Sequence, residues 1–123
     1  RAMLLPVSAP FHCALMAPAG RAMAGALADV DIAPPAPPLV ANVSAEAETD
    51  PDRIRAALVE QVTARVRWRE SVAWMAAQGV TEVWEIGAGK ALSGMVRRID
   101  RGIACRAVGT PAEVADAAAS LQA

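Results

Sequence analysis

The chain has 123 residues, of which 54% are hydrophobic, with 12 basic and 13 acidic side chains and a formal net charge of −1. That is one ordinary domain or a large piece of one, long enough to bury a real core. So even a balance, with 3% aromatics, leaves no electrostatic footprint for nucleic acid or a membrane surface.

No apolar run reaches the roughly 18 uninterrupted residues of a membrane span, and Arg1 to Ala9 is too short and too strand-like for a signal peptide. Cys13 and Cys105 are too few and too far apart for a disulfide framework or a zinc site. The expected setting is a reducing cytoplasm, with no metal and no cofactor. A first residue Arg1 in place of Met points to further sequence upstream.

In chain order, Met3 to Val7 predicts a short apolar strand closed by Ser8-Ala9-Pro10. From His12 or Cys13 the pattern turns helical: Leu15, Met16, Ala19, Met23, Ala26, Leu27 and Val30 recur at three- and four-residue spacing, with Pro18 in the first turns. The stretch DIAPPAPPLV cannot be helical and predicts an extended connector. It feeds LVANVS, a short buried strand ending near Asn42. After an acidic loop, Glu46 to Thr49, Asp50 as N-cap and Pro51 at the first helical position start a helix. Ile54, Ala57, Leu58, Gln61, Val62 and Arg65 share roughly one of its faces.

A second helix, WRESVAWMAAQG, ends at Gly79 in a left-handed cap. VTEVWEIG predicts an apolar strand, AGKALSGMVRRI a helix with basic residues in its last turn, and IACRAV a final strand. TPAEVADAAASLQA closes the chain with Thr110 as cap, Pro111 first and Glu113 third, a capping box. Helices alternating with short apolar strands indicate an α/β layer fold with a largely parallel sheet.

His12 is the only histidine, and an imidazole with an ordinary pKa near ~6.5 can take and return a proton at neutral pH. It is either a partly buried ring satisfied by a local carbonyl or a base in the turn beyond a strand end, where ligands bind in α/β sheets. Gln61 interrupts an apolar stripe: it is a buried amide needing partners or an exposed residue at the stripe's edge. Asn42 either caps a turn or lines a cleft. The segment GAGK, Gly87 to Lys90, fits neither phosphate-loop template and reads as a tight turn, although free N–H groups at the following helix start could face an anionic substrate. None of Ser8, Ser44, Ser71, Ser93 and Ser120 lies in a G-x-S-x-G elbow, and Cys13 and His12, neighbours on a helix, would point about 100° apart. The base has no nucleophile in this chain.

The segments LLPVSAPFHCALM, NVSA and LVEQVTARVRWRESVAWMAAQGVTEVWEIGAGKALSGMVRRI, in that order, resemble the C-terminal part of the malonyl-CoA:acyl carrier protein transacylases. The resemblance implies that 1–9 hold the last strand of a small ferredoxin-like subdomain. Residues 10–123 would then be the C-terminal part of a large α/β-hydrolase-like acyltransferase subdomain. It implies transfer of malonyl from malonyl-CoA to the phosphopantetheine thiol of acyl carrier protein in fatty acid biosynthesis, through a serine in a G-H-S-x-G elbow. That serine, the oxyanion loop and the arginine that grips the malonyl carboxylate all precede this segment in the family, so the N-terminal part of the same enzyme is an implied partner.

His12 matches the catalytic base, and Gln61 the residue whose backbone carbonyl accepts the other ring N–H. Asn42 and Phe11 match substrate-binding positions, Phe11 resembling the malonyl-selecting members. Arg97 and Arg98 match a basic surface for the acidic carrier protein, or simply compensate a helix C-terminus. Two alternatives stand beside this reading. One is a piece of a polyketide synthase acyltransferase domain, against which the finish at Ala123 without a linker weighs; the other is a non-catalytic α/β interaction module. By itself the chain is expected to form no acyl-enzyme and to leave Val40, Val43, Val83, Trp84 and Ile86 partly uncovered.

Overall fold

The computed structural model describes residues 9–121. The strand expected over Met3 to Val7, and with it the small-subdomain assignment, lies outside the described residues. The chain divides into two compact units, Arg1–Ser71 and Val72–Ala123.

In the first unit a single 3-10 turn, Ala14–Met16, leads into α1, Ala17–Ala28. Pro18 sits in its first turn, where a missing N–H costs nothing. The stripe expected on this helix is only partly covered: Leu15 is 74% exposed, and Met23 and Val30 are exposed too. Gly20, not a large side chain, is the buried residue of α1, and it backs onto Val62 and Thr63. The helix ends against Arg55, whose guanidinium donates to the carbonyl of Leu27 and, at 2.7 Å, to that of Val30. A cation there suits the negative end of the helix dipole.

The proline-rich connector is non-helical, as expected. It delivers β1, Leu39–Val40, which pairs antiparallel with β2, Ala47–Glu48. One expectation is corrected here: the acidic stretch Glu46 to Thr49 contains a strand, so that a short antiparallel pair stands beside the expected parallel pairing. The reason is the connection. Ala45 donates its N–H to the Ala41 carbonyl at 2.9 Å and adopts φ 59°, closing a turn too short for anything but antiparallel strands. Asn42 therefore lies in a turn.

α2 is Pro51–Glu60, with the Asp50 carboxylate accepting from the N–H of Asp52 at 2.9 Å and Pro51 first, both as expected. It stops sooner than its stripe suggested. Gln61 is the C-cap, and the N–H groups of Val62 and Thr63 turn back to the carbonyls of Val59 and Glu60, three residues earlier. This 3-10-like tightening takes Gln61, Val62 and Arg65 off the expected helix face.

α3, Trp68–Ala77, spans the division between the units. Its end is the expected left-handed cap, with Gly79 at φ 86°, Gly79 N–H on Ala76 O at 3.0 Å and Val80 N–H on Met75 O at 3.1 Å.

The second unit has the expected alternation: β3 Glu82–Ile86, α4 Ala91–Ile99, β4 Ala104–Val108 and α5 Pro111–Ser120. β3 and β4 pair in parallel from Glu82↔Ala104 to Ile86↔Val108, a pairing that needs a crossover element such as α4. Val72, Val96, Ile103, Val108 and Ala117 are this unit's buried apolar residues among those described. The capping box forms in full, the Thr110 hydroxyl accepting from Glu113 N–H and the Glu113 carboxylate accepting from Thr110 N–H. Ile86 is 77% exposed, whereas Val40, Val43, Val83 and Trp84 are half-buried.

Candidate active site

The segment that carries His12 is a turn, not a helix start. Phe11 N–H reaches back to Ala9 O at 3.0 Å, His12 takes φ 56°, and Cys13 returns to extended backbone at φ −145° before the 3-10 turn begins. The expectation of a histidine at the head of a helix is corrected accordingly. A left-handed non-glycine residue is strained, and here it aims the ring across the unit. The Cys13 thiol donates to Pro10 O at 3.0 Å, so it is committed away from His12.

His12 Nδ1 lies 2.8 Å from the backbone carbonyl oxygen of Gln61. A carbonyl can only accept, so Nδ1 carries the proton and the neutral ring keeps its lone pair at Nε2. The carbonyl is available because Gln61 caps the C-terminus of α2, where backbone acceptors have no partner within the helix. The Gln61 side chain is held as well: its Oε1 accepts from Asn42 Nδ2 at 2.9 Å. His12, Gln61 and Asn42, far apart in sequence, are thus one hydrogen-bonded chain within the first unit.

Arg67 is the residue that sequence reasoning missed. Its N–H donates to Asn42 O at 2.9 Å, and its guanidinium donates to Val43 O at 3.1 Å and Ser44 O at 2.8 Å and pairs with Glu70. It clamps the turn that presents Asn42. The Arg67 hydrogen bond, with the charges of Arg67, Arg65 and Arg69, holds the Glu70 carboxyl below the ordinary carboxylate range, while Glu70 raises Arg67. The available signal was the Arg67-to-Glu70 spacing, which reads equally well as a surface pair.

Beside these groups Asn42 and Gln61 share with Leu39, Val40, Ala57 and Leu58 a cavity of about 230 Å³, smaller than the sites that enclose a drug-sized ligand. Phe11 is 58% exposed. Arg97 and Arg98 belong to the second unit, exposed in the last turn of α4, and Arg97 donates to Cys105 O at 3.3 Å.

At the Gly87-to-Lys90 turn the N–H groups of the following helix start are taken by the chain itself. Glu85 already fills the α4 N-terminus, accepting from Leu92 N–H at 3.0 Å and from Ser93 N–H at 2.8 Å. The buried Ser93 hydroxyl beside this carboxylate meets no partner in good hydrogen-bond geometry. That hydroxyl and the two N–H groups hold Glu85 below the ordinary carboxylate range. The expectation of free N–H groups facing an anionic substrate is overturned, because the chain supplies its own anion. Among the described residues no cluster of metal-ligating side chains occurs, and no helix is long and apolar enough to cross a membrane.

No protein-family model matches the chain. It is 45% identical over 117 residues to the malonyl CoA-acyl carrier protein transacylase of Escherichia coli strain K12, covering 95% of this chain and 38% of that protein. The Bacillus subtilis protein of the same name is 41% identical over 111 residues, 90% of this chain and 35% of that one. Among solved structures, an acyl-carrier-protein-S-malonyltransferase from Bartonella henselae superposes with a TM-score of 0.90 at 53% identity, covering 100% of this chain and 39% of that chain. A malonyl-transacylase in complex with its type II polyketide synthase acyl-carrier protein superposes with a TM-score of 0.85 at 39% identity, covering 94% and 38%. The chain spans 38% of the length of the E. coli relative, and over that span it is homologous to the C-terminal portion of the malonyl-CoA:acyl carrier protein transacylases.

Proposed function

We propose that this chain supplies the general base of a malonyl transacylase that moves malonyl from malonyl-CoA to the phosphopantetheine thiol of acyl carrier protein. The observation that carries the reading is the 2.8 Å contact between His12 Nδ1 and Gln61 O. It fixes the tautomer in which Nε2 can take a proton, the role that a carboxylate plays in a serine triad.

In the proposed cycle Nε2 removes the hydroxyl proton of a serine contributed by the N-terminal part of the same enzyme. The serine oxygen attacks the thioester carbonyl, and the proton returns to the departing CoA sulfur, leaving malonyl on the serine. Nε2 next takes the proton of the carrier's thiol, whose sulfur displaces the serine oxygen, and the serine regains a proton. In this reading residues 10–123 belong to a large α/β-hydrolase-like subdomain, Phe11 contacts the malonyl group, and Arg97 and Arg98 meet the acidic carrier. A module that only binds a partner has no use for a strained histidine locked in one tautomer.

The test replaces the matching segment of the E. coli relative with this whole chain and follows malonyl transfer to the carrier. Transfer is expected, and His12→Ala should lower it by roughly 10²–10⁴-fold, the usual worth of positioned proton transfer. A chimera with native circular dichroism that transfers nothing overturns the reading, as does a His12→Ala variant of undiminished rate. Incubated alone with malonyl-CoA, the 123-residue chain should gain no malonyl mass, because a thioester needs an activated nucleophile and none of its five serines sits in an elbow. An adduct on any serine or cysteine would place the nucleophile here.

A further inference from the structure

We infer that Asn42 is a positioning residue, which fixes the tautomer of His12 through the side chain of Gln61 and does not bind substrate; the inference rests on the proposed role of His12. The acceptor of His12 Nδ1 is the carbonyl of a helix C-cap, with φ −60° and ψ −18°. Such a position is prone to fraying, since no intrahelical bond fixes its carbonyl. The backbone turn through Gln61 is closed by its own N–H on Ala57 O at 3.0 Å and by the N–H groups of Val62, Thr63 and Ala64 on the carbonyls of Val59 and Glu60. The Gln61 side chain is restrained by the 2.9 Å bond from Asn42 Nδ2 to Oε1.

Asn42 can serve as an anchor because it is itself held. Its carbonyl accepts from Arg67 N–H at 2.9 Å, and the next two carbonyls, of Val43 and Ser44, accept from the Arg67 guanidinium. The β1–β2 pairing closes the same turn. Asn42 and Gln61 are both half-buried, where an amide pair is screened less by water than at an open surface. Rigidity therefore passes from Arg67 through the Asn42 turn to the Gln61 amide, and from there to the carbonyl that holds the ring. Supporting shells of this kind tune a reacting group without touching the substrate.

A single histidine makes the test direct. In the chain labelled with 15N-histidine, the two ring nitrogen shifts of the neutral imidazole report which nitrogen bears the proton. The parent should show the proton on Nδ1. Asn42→Ala should shift the population toward Nε2–H. Gln61→Leu, which removes Oε1 and keeps the backbone carbonyl, should shift it likewise, and the double variant should go no further, as expected for two ends of one interaction. Gln61→Glu still offers an oxygen to Asn42 Nδ2 and should restore the parent tautomer.

In the chimera, Asn42→Ala should lower kcat about 2- to 10-fold, the rate equivalent of one net hydrogen bond, with KM for malonyl-CoA unchanged. A folded Asn42→Ala chain with the parent tautomer overturns the inference and leaves the proposed function standing; a raised KM with that unchanged tautomer makes Asn42 a substrate contact. If Asn42→Ala fails to fold, Gln61→Leu reads the same bond from its other end, and an unchanged tautomer there overturns the inference equally. Failure of the proposed function would show separately, as a His12→Ala chimera of full activity.

Discussion

Two turns lead the chain into helices, Pro10 to Cys13 and Gly87 to Lys90, and they solve the same problem in opposite ways. Both use left-handed backbone. The second places it on Gly87 and Gly89, at φ 136° and 94°, where it carries no steric penalty. The first places it on His12 at φ 56°, at a cost of roughly 1–2 kcal/mol for a residue with a Cβ. The second turn also completes its own electrostatics, since Glu85 accepts from the first N–H groups of α4. Neither turn has a side-chain cap at its N-cap residue or an acidic residue in its first helical turn, so the difference lies in Glu85. Among the described residues the first turn commits one imidazole nitrogen, Nδ1, to Gln61. Strain joined to a proton-accepting atom left uncommitted among the described residues distinguishes a turn kept for chemistry from one kept for folding.

The largest expected effect on that contrast comes from moving the carbonyl on which His12 leans. Gln61→Pro removes the N–H bonded to Ala57 O and biases Glu60 away from helical backbone. The penalty is bounded by the about 3 kcal/mol of a proline inside a helix and is smaller at a C-cap. Malonyl transfer in the chimera should fall nearly as far as with His12→Ala, because the acceptor shifts. Gln61→Ala keeps the carbonyl and should lose only the about 2- to 10-fold that the Asn42 bond contributes. Steady-state rates of the two variants decide it. If alanine proves as damaging as proline, the side chain and not the backbone orients the ring, and the distinction between the two turns loses its geometric basis.

Punctuation that acts over one helical turn was legible in the sequence. Asp50-Pro51, Thr110 with Glu113, and Gly79 each act within a few residues, and each took the expected geometry. The end of α2 was not legible, because no glycine or proline follows Glu60 and the apolar stripe runs on through Gln61 and Val62. The antiparallel turn after β1 was hidden for a related reason: its left-handed residue is Ala45, a type that carries no turn signal. The Arg67 clamp and the Asn42–Gln61 bond join positions 19 to 25 residues apart, beyond the reach of periodicity. The pairing of His12 with Gln61, 49 residues away, was expected only through family resemblance. Within the candidate site, residue types could be nominated from the sequence, but the partner of each had to come from the fold.

The smallest effect concerns the self-satisfied turn, and it has a definite dependence on pH. Glu85 is held below its ordinary value of 4.5 by the Ser93 hydroxyl and by the N–H groups of Ser93 and Leu92. A carboxyl with a lowered folded-state pKa binds its proton more weakly in the folded chain than in the unfolded one. Its stabilisation is therefore fully present above the unfolded value and is lost as pH falls through the folded value. Glu85→Gln keeps an oxygen for the N–H groups but removes the charge that complements the α4 N-terminus. The variant should melt below the parent at pH 7, and the gap should close on acidification below about pH 4.5. Glu70 and Glu113 are lowered too, but they titrate in both proteins and cancel in the difference between them. Melting midpoints across that range make the measurement. A gap that stays constant with pH would mean that shape, not charge, holds the Gly87-to-Lys90 turn, leaving its N–H groups open to an outside anion after all.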